Sequence, residues 1–250
     1  MYRSLAAAIA LSAAAIAPTA AYAQEEPAGD LSVSGSVTLA TQYRLRGISQ
    51  SDNRGAVQGG VTVSHASGVY VGTWASSLAG YGSFGGSNME IDLIGGYSTA
   101  VGPATLDAGV IYYVYPGTSG TDFVELYGSV AGKVGPLDAK LGAYWAPSQG
   151  NIGGHNIWVY TDWAFPIEGT PVTLKAHGGY SDGNSGYTKG DGIWDYSVGM
   201  DLAWKNLTLN VSYVGTDVGT ARANALWAGG ARSGHAITKG NVVATLTAAF

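Results

Sequence analysis

The stretch LSVSGSVTLATQYRLR, Leu31 to Arg46, alternates almost without error. Leu31, Val33, Gly35, Val37, Leu39, Tyr43 and Leu45 fall on one face, and Ser32, Ser34, Ser36, Thr38, Gln42, Arg44 and Arg46 on the other. Successive side chains of a strand point to opposite sides of the sheet, so one face suits hydrocarbon and the other suits water or polar partners. A tilted strand crosses a bilayer in roughly 9 to 11 residues, and this one is long enough. Phe250 closes a second alternating segment at the other end of the chain. The two ends together predict a membrane barrel.

Composition agrees. Charged residues are 12% of the chain, against about 25% in ordinary soluble domains. The 39 glycines in 250 residues far exceed the usual share of about 7%. Few charges and many glycines suit a lipid-facing sheet. After the leader, no apolar run approaches the roughly 18 residues of a spanning helix. The leader itself has Arg3 at its start, an apolar stretch from Leu5 to Ala17 and a small-residue site at Ala21-Tyr22-Ala23. This reads as a secretory signal over residues 1–23, cut after Ala23, with one barrel domain over 24–250. Removing Arg3 leaves eleven basic against 17 acidic side chains, a net charge of −6. No basic stripe suggests nucleic acid. There is no cysteine, which excludes disulfides and thiolate metal sites.

The mature chain divides into twelve candidate antiparallel strands, near 31–46, 56–65, 69–78, 89–98, 105–115, 122–131, 137–145, 156–165, 172–180, 194–203, 207–214 and 241–250. An even count is the rule for single-chain bacterial barrels. Short turns, at 65–68, around Gly102-Pro103 and Gly135-Pro136, at 166–171 and at Lys205-Asn206, alternate with longer loops at 47–55, 79–88, 116–121, 146–155, 181–193 and 215–240. Outer-membrane barrels have short periplasmic turns and longer outside loops, which puts both termini in the periplasm. Tyr and Trp favour the membrane interface. On this topology Tyr43, Trp74, Tyr112, Trp145, Tyr180, Trp194 and Tyr213 form an outer girdle, and Tyr97, Trp163, Phe165, Trp204 and Phe250 an inner one.

The segment from Thr41 to Asn53, TQYRLRGISQSDN, followed by Ala56-Val57-Gln58-Gly59-Gly60, resembles the signature of the TorF-type porins. That family consists largely of conserved proteins of unknown function. Weaker similarity runs through Gly72-Thr73-Trp74-Ala75-Ser76, Glu90-Ile91-Asp92-Leu93 and Glu125-Leu126-Tyr127. The resemblance implies an outer-membrane barrel, and passive transport down a gradient through it would need no cofactor. Phe250 resembles the terminal aromatic that the outer-membrane assembly machinery recognises.

Charge on the lipid face is costly, so strand charges are expected to face the lumen. Arg44, Arg46, Glu90, Asp92, Glu125 and Asp195 then meet in the outer half, where opposed charges can constrict a pore and set ion preference. Acids outnumber bases along the lumen, which predicts mild cation preference for small hydrophilic solutes or ions. The rival reading is a plugged structural or surface-interaction barrel, since barrels near eight strands are filled by side chains and those of 16 to 18 are open. A hydrolase built on His65 and Ser67 is a third reading, and it lacks an orienting acid or amide at suitable spacing. Gly80 to Gly85 matches GxGxxG, but a strand rather than a helix follows it, against a dinucleotide site. His155, His177 and His235 show no metal-ligand spacing.

Overall fold

The computed structural model describes residues 29–227 and 230–250; the expected signal segment lies outside them. Twelve antiparallel strands close into a barrel. In chain order the wall is β1 (Leu31–Ala40), β4 (Ala56–His65), β5 (Val69–Ser77), β6 (Met89–Val101), β7 (Ala104–Val114), β8 (Phe123–Val134), β9 (Leu137–Gln149), β10 (Gly154–Pro166), β11 (Val172–Gly183), β12 (Ile193–Trp204), β13 (Leu207–Thr216) and β14 (Asn241–Ala249). β2 (Arg44–Leu45) and β3 (Ile48–Ser49) form a small separate hairpin. Each wall strand pairs with its sequence neighbour, and β1 pairs with β14 to close the sheet. Closure leaves no sheet edge, which is how a sheet survives in hydrocarbon.

The pleat sorts the side chains as alternation predicts. Trp194, Tyr196, Val198, Met200 and Leu202 of β12 all stand exposed on the outside, while Asp195 and Asp201 between them are buried inside. The same holds for Met89 and Leu93 against Glu90 and Asp92 in β6. An outer surface of this kind would be costly in water and is built for hydrocarbon.

Three features depart from the sequence reading. The first strand ends at Ala40 instead of Arg46, because Ala40 already pairs with Ala56 and Thr245 and the chain then leaves the wall. Arg44 and Arg46 therefore do not lie on the wall, and most of the expected 47–55 loop is not outside; residues 42–52 fold into the barrel, while Thr41, Arg54 and Gly55 stay exposed. Tyr43 and Trp74 do not join the aromatic girdle either: Tyr43 is buried in the lumen and meets Trp74 edge-on at 5.4 Å. Finally, the segment before β14 is not an open loop. It carries two short helices, α1 (Thr220–Leu226) and α2 (Gly234–Thr238).

Candidate functional site: the occupied lumen

The hairpin's geometry follows from two residues. Arg46 and Gly47 both have positive φ, 47° and 80°, between paired Leu45 and Ile48. Left-handed conformations at both central positions characterise the tight two-residue hairpin turn, for which Gly is the favoured second residue. The turn carries the Arg46 guanidinium to the wall opposite β1 and β4. There Arg46 Nη2 donates to both carboxylate oxygens of Glu125 on β8, at 2.9 and 2.7 Å. The guanidinium also lies over the Trp158 ring of β10, 4.8 Å from its centroid. Tyr113 Oη donates to the same carboxylate at 2.9 Å. Both charged partners are buried. A buried ion pair of this kind fixes geometry, and losing either member leaves an uncompensated charge.

Arg44 is satisfied differently. Nε donates to Gln42 Oε1, Nη1 to the carbonyls of Gly47 and Lys239, and Nη2 to Asn53 Oδ1. Its partners are neutral oxygens, so it binds the hairpin to itself and to the segment after α2. The rest of the motif has equally local tasks. Ser51 Oγ accepts from Tyr43 N and donates to Arg54 O; Ser49 Oγ accepts from Asn53 N; Asn53 Nδ2 donates to Ala236 O at 2.7 Å. Gln50 O accepts from Ala79 N, and a Cβ at Gly82 would collide with Gln50. The Gly80–Gly85 match is thus a loop, opened by a short 3-10 turn at Gly80–Ser83, that lies close against the hairpin.

Above the hairpin, Ile48, Ile193, Val218, Ala223, Trp227 and Ile237 form a small apolar core. The helices pack so closely that a Cβ on Gly234 would overlap the Ala223 carbonyl. Tyr187 Oη donates to Arg46 O at 2.8 Å from the loop after β11. Burial pushes the Tyr81 phenol up to about 12 and raises that of Tyr187, so both stay neutral hydrogen-bonding groups.

The six anticipated residues thus share the loop-end part of the lumen with partners the sequence reading did not assign. Glu90 accepts from Tyr43 Oη at 2.7 Å and Tyr115 Oη at 2.8 Å. Asp195 accepts from Trp158 Nε1 at 2.8 Å and faces His177 Nε2 at 2.9 Å, while His177 Nδ1 lies 2.6 Å from Asp162. Each ring nitrogen of His177 meets a carboxylate, which two N–H donors satisfy and one does not. Asp92 is buried and accepts no hydrogen bond among the described residues. It lines a cavity of about 40 Å³ beside Arg46 and Trp74. Towards the short-turn end the interior is mixed: Tyr70, Thr173 and Asp201 are buried, whereas Ser34, Ser36, Thr62, Asp107, Ser129, Lys140 and Thr247 are half-buried.

A larger cleft of about 530 Å³ lies on the loop surface between 150–153 and 184–190, lined largely by glycine and away from the buried charges. His65 Nδ1 and Ser67 Oγ are 2.8 Å apart in an exposed turn, and Ser67 N also donates to that nitrogen. No carboxylate bonds the ring among the described residues.

A family profile described as "Bacterial protein of unknown function (Gcw_chp)" matches residues 24–250. The chain belongs to the Gcw_chp family. Comparison with curated proteins returns no match. Among solved structures, the barrel of this Gcw_chp protein resembles the NanC porin, with a TM-score of 0.56 at 9% identity over 86% of this chain and 98% of that one. An outer-membrane channel from Pseudomonas putida F1 follows at 0.46 and 11%, covering 90% and 99%. An anion-selective porin from Comamonas acidovorans matches at 0.42 and 12%, covering 88% and 99%. At these identities the likeness to NanC concerns the fold alone.

The residues missed in sequence are mainly aromatic: Tyr43, Trp74, Tyr113, Tyr115, Trp158 and Tyr187. One signal was available for the hairpin. Arg46-Gly47, flanked by Arg44-Leu45 and Ile48-Ser49, has the Gly placement of a tight turn at the very start of the expected 47–55 loop.

Proposed function

We propose that this Gcw_chp protein is a porin-like channel of the bacterial outer membrane for passive diffusion of small hydrophilic solutes or ions, with both termini periplasmic and the 41–55 hairpin as its constriction. One observation carries the reading. Ala40 and Ala56, at the two ends of the hairpin segment, pair with each other in the wall, so the hairpin can leave the lumen without breaking a wall pair. The half-buried Ser34, Ser36, Thr62, Asp107, Ser129 and Lys140 towards the short-turn end support a partly wetted path up to it. The acidic excess, with Glu90, Asp92, Asp107, Asp138, Asp162, Asp195 and Asp201 against Arg44, Lys140, Lys175 and the titratable His177 outside the Arg46–Glu125 pair, supports mild cation preference. The TorF-type resemblance of 41–60 and the NanC-like fold support the same class. Phe250, exposed on the outer surface, suits recognition by the assembly machinery, and the family match from residue 24 suits cleavage after Ala23.

A second reading, a permanently plugged barrel, is favoured by Ile48, which is wholly buried in the core under the helices. Planar-bilayer recording under a salt gradient separates the two. The refolded mature chain is compared with a variant whose residues 43–53 are replaced by a short Gly-Ser link, and heat-modifiable gel migration reports folding. The channel reading expects discrete, cation-preferring steps in the parent and larger ones in the variant. A folded parent that stays silent while the variant conducts supports the plug. Silence in both folded proteins overturns the channel.

A further inference from the structure

The charges of the wall are not shared evenly around it. β13, β14, β1, β4 and β5 are consecutive in the closed sheet and contain not one Asp, Glu, Lys or Arg, while each of β6 to β12 carries at least one. The inward positions of the uncharged strands are largely hydroxyls and amides, and register sets Thr208, Thr247, Thr38, Gln58 and Ser76 side by side in one row across all five. Within that row Thr38 and Thr247 share a hydrogen bond of 2.8 Å and Gln58 donates to Ser76 at 3.2 Å. The hydroxyls of Thr208 and of Thr245 beside it are half-buried and bond no protein group among the described residues.

A buried cation stands at the edge of this face. The Lys175 side chain is 9% exposed, and its ion-pair partner Asp201 Oδ2 is 3.5 Å away. A charge-assisted hydrogen bond measures about 2.7–2.9 Å, so the ammonium has three donors and no acceptor in reach among the described residues. A pair at that separation can be capped by one oxygen that accepts from the ammonium and donates to the carboxylate. Asp201 also accepts from Asn210 Nδ2 at 2.6 Å, and Asn210 Oδ1 accepts from Ser212 Oγ at 2.8 Å, which joins the pair to β13. Between Lys175 and Ser212 the paired residue on β12 is Gly199, with no side chain to separate them.

This chemistry suits a solute with several hydroxyls and no charge. A hydroxyl both donates and accepts, so it exchanges freely with Ser, Thr and Asn side chains. An uncharged face offers an ion nothing for the water it sheds. Lys175 and Asp201 are neutral as a pair and favour neither sign, yet they present a charged donor and a charged acceptor, the strongest partners for a neutral hydroxyl. We propose that the face of β13, β14, β1 and β4, with Lys175 and Asp201 at its edge, binds and passes small neutral polyhydroxylated solutes, the class of polyols and monosaccharides. The proposal rests on the channel reading and names the solutes that this side of the lumen serves; ions are left to the charged side.

The test is osmotic swelling of proteoliposomes holding the refolded mature chain, diluted into iso-osmotic arabinose or triethylene glycol, neutral solutes of equal mass, with the rate of protein-free liposomes subtracted. Arabinose is expected to enter at least about threefold faster, because a site built to bond hydroxyls discriminates against a solute poorer in them. The advantage should largely vanish in Lys175→Met and in the double variant Thr208→Val, Thr245→Val, which keeps side-chain shape and decides the matter should Lys175→Met not fold. Equal rates in the parent overturn the solute class and leave the channel standing. An undiminished advantage in the threonine variant overturns the assignment to this face. Should the parent admit neither solute, the channel reading fails, and the variant with residues 43–53 replaced by a Gly-Ser link is measured in its place, since it retains the whole face. An arabinose advantage there upholds the face as a polyol site in a closed barrel; equal rates or no entry overturn it.

Discussion

The two halves of the lumen are walled by the same strands and obey the same alternation, yet one is filled by a segment that leaves the wall and the other by wall side chains alone. Towards the loops, Arg46, Glu90, Asp92, Glu125 and Asp195 are buried among aromatic rings. Towards the short turns, Tyr70, Thr173 and Asp201 are buried by their wall neighbours, while Asp107, Lys140 and a set of Ser and Thr residues remain half-buried. The difference does not come from the wall. A segment leaving it, 41–55, brings Tyr43, Arg46 and Ile48 into contact with wall residues that would otherwise face open space. Strand alternation decides what points inward; how fully the loop end is packed is decided by what enters.

If that is right, the two halves respond differently to substitution. The largest effect is expected from Arg46→Ala, which strands Glu125 and costs about 3–5 kcal/mol of stability, read from urea unfolding in liposomes. Arg46→Ala combined with Glu125→Gln should cost less than the single change; equal cost would mean that the pair does not fix the hairpin. Next, Val198→Arg in the middle of β12 probes the outer face and is expected to cost roughly 2–4 kcal/mol in a bilayer. An unchanged unfolding midpoint would remove that face from hydrocarbon. Gly47→Ala places a Cβ at φ 80° against Thr216 and the Gly215 carbonyl, and should cost more than about 1 kcal/mol while loosening the hairpin. Limited proteolysis between 41 and 55 would report that loosening. Smallest in energy is Lys140→Gln in the half-buried part: within about 0.5 kcal/mol of the parent, but with a reversal potential shifted further towards cations. A stability loss as large as that of Arg46→Ala would erase the distinction between the halves.

The wall was legible in the sequence because a period of two with charges confined to one face admits few other solutions. Strand positions, closure and the inward direction of Glu90, Asp92, Glu125 and Asp195 all follow from it. The hairpin was not legible by the same means. Thr41 to Arg46 continues the alternation of β1 without a break, since a hairpin strand in the lumen has the same period as a wall strand. Tyr43 therefore read as lipid-facing, although its hydroxyl is bonded to Glu90 in the interior. What periodicity cannot supply is a partner across the barrel. The Arg46–Glu125 contact joins residues with no regular spacing, and the Asp162–His177–Asp195 row depends on the register of three strands. The 215–240 segment hid its helices for a different reason: α1 and α2 are short, and α1 begins after Gly219 with no side-chain cap.

The seam between β1 and β14 has one further consequence, for how the barrel is assembled. It holds five residue pairs, against ten between β1 and β4, and Phe250 extends it by exchanging two backbone hydrogen bonds with Gly35. It joins the first strand to the last, so it is the contact with the longest sequence separation in the wall and the slowest to find. The hairpin departs one residue beyond the final seam pair, Ala40 with Thr245. The order of events is thereby constrained: β14 must be made before the cylinder can shut. In hydrogen exchange, the seam amides of Gly35, Val37, Leu39 and Thr41 and of Leu246, Ala248 and Phe250 should open ahead of the longer ladders around β6 to β12.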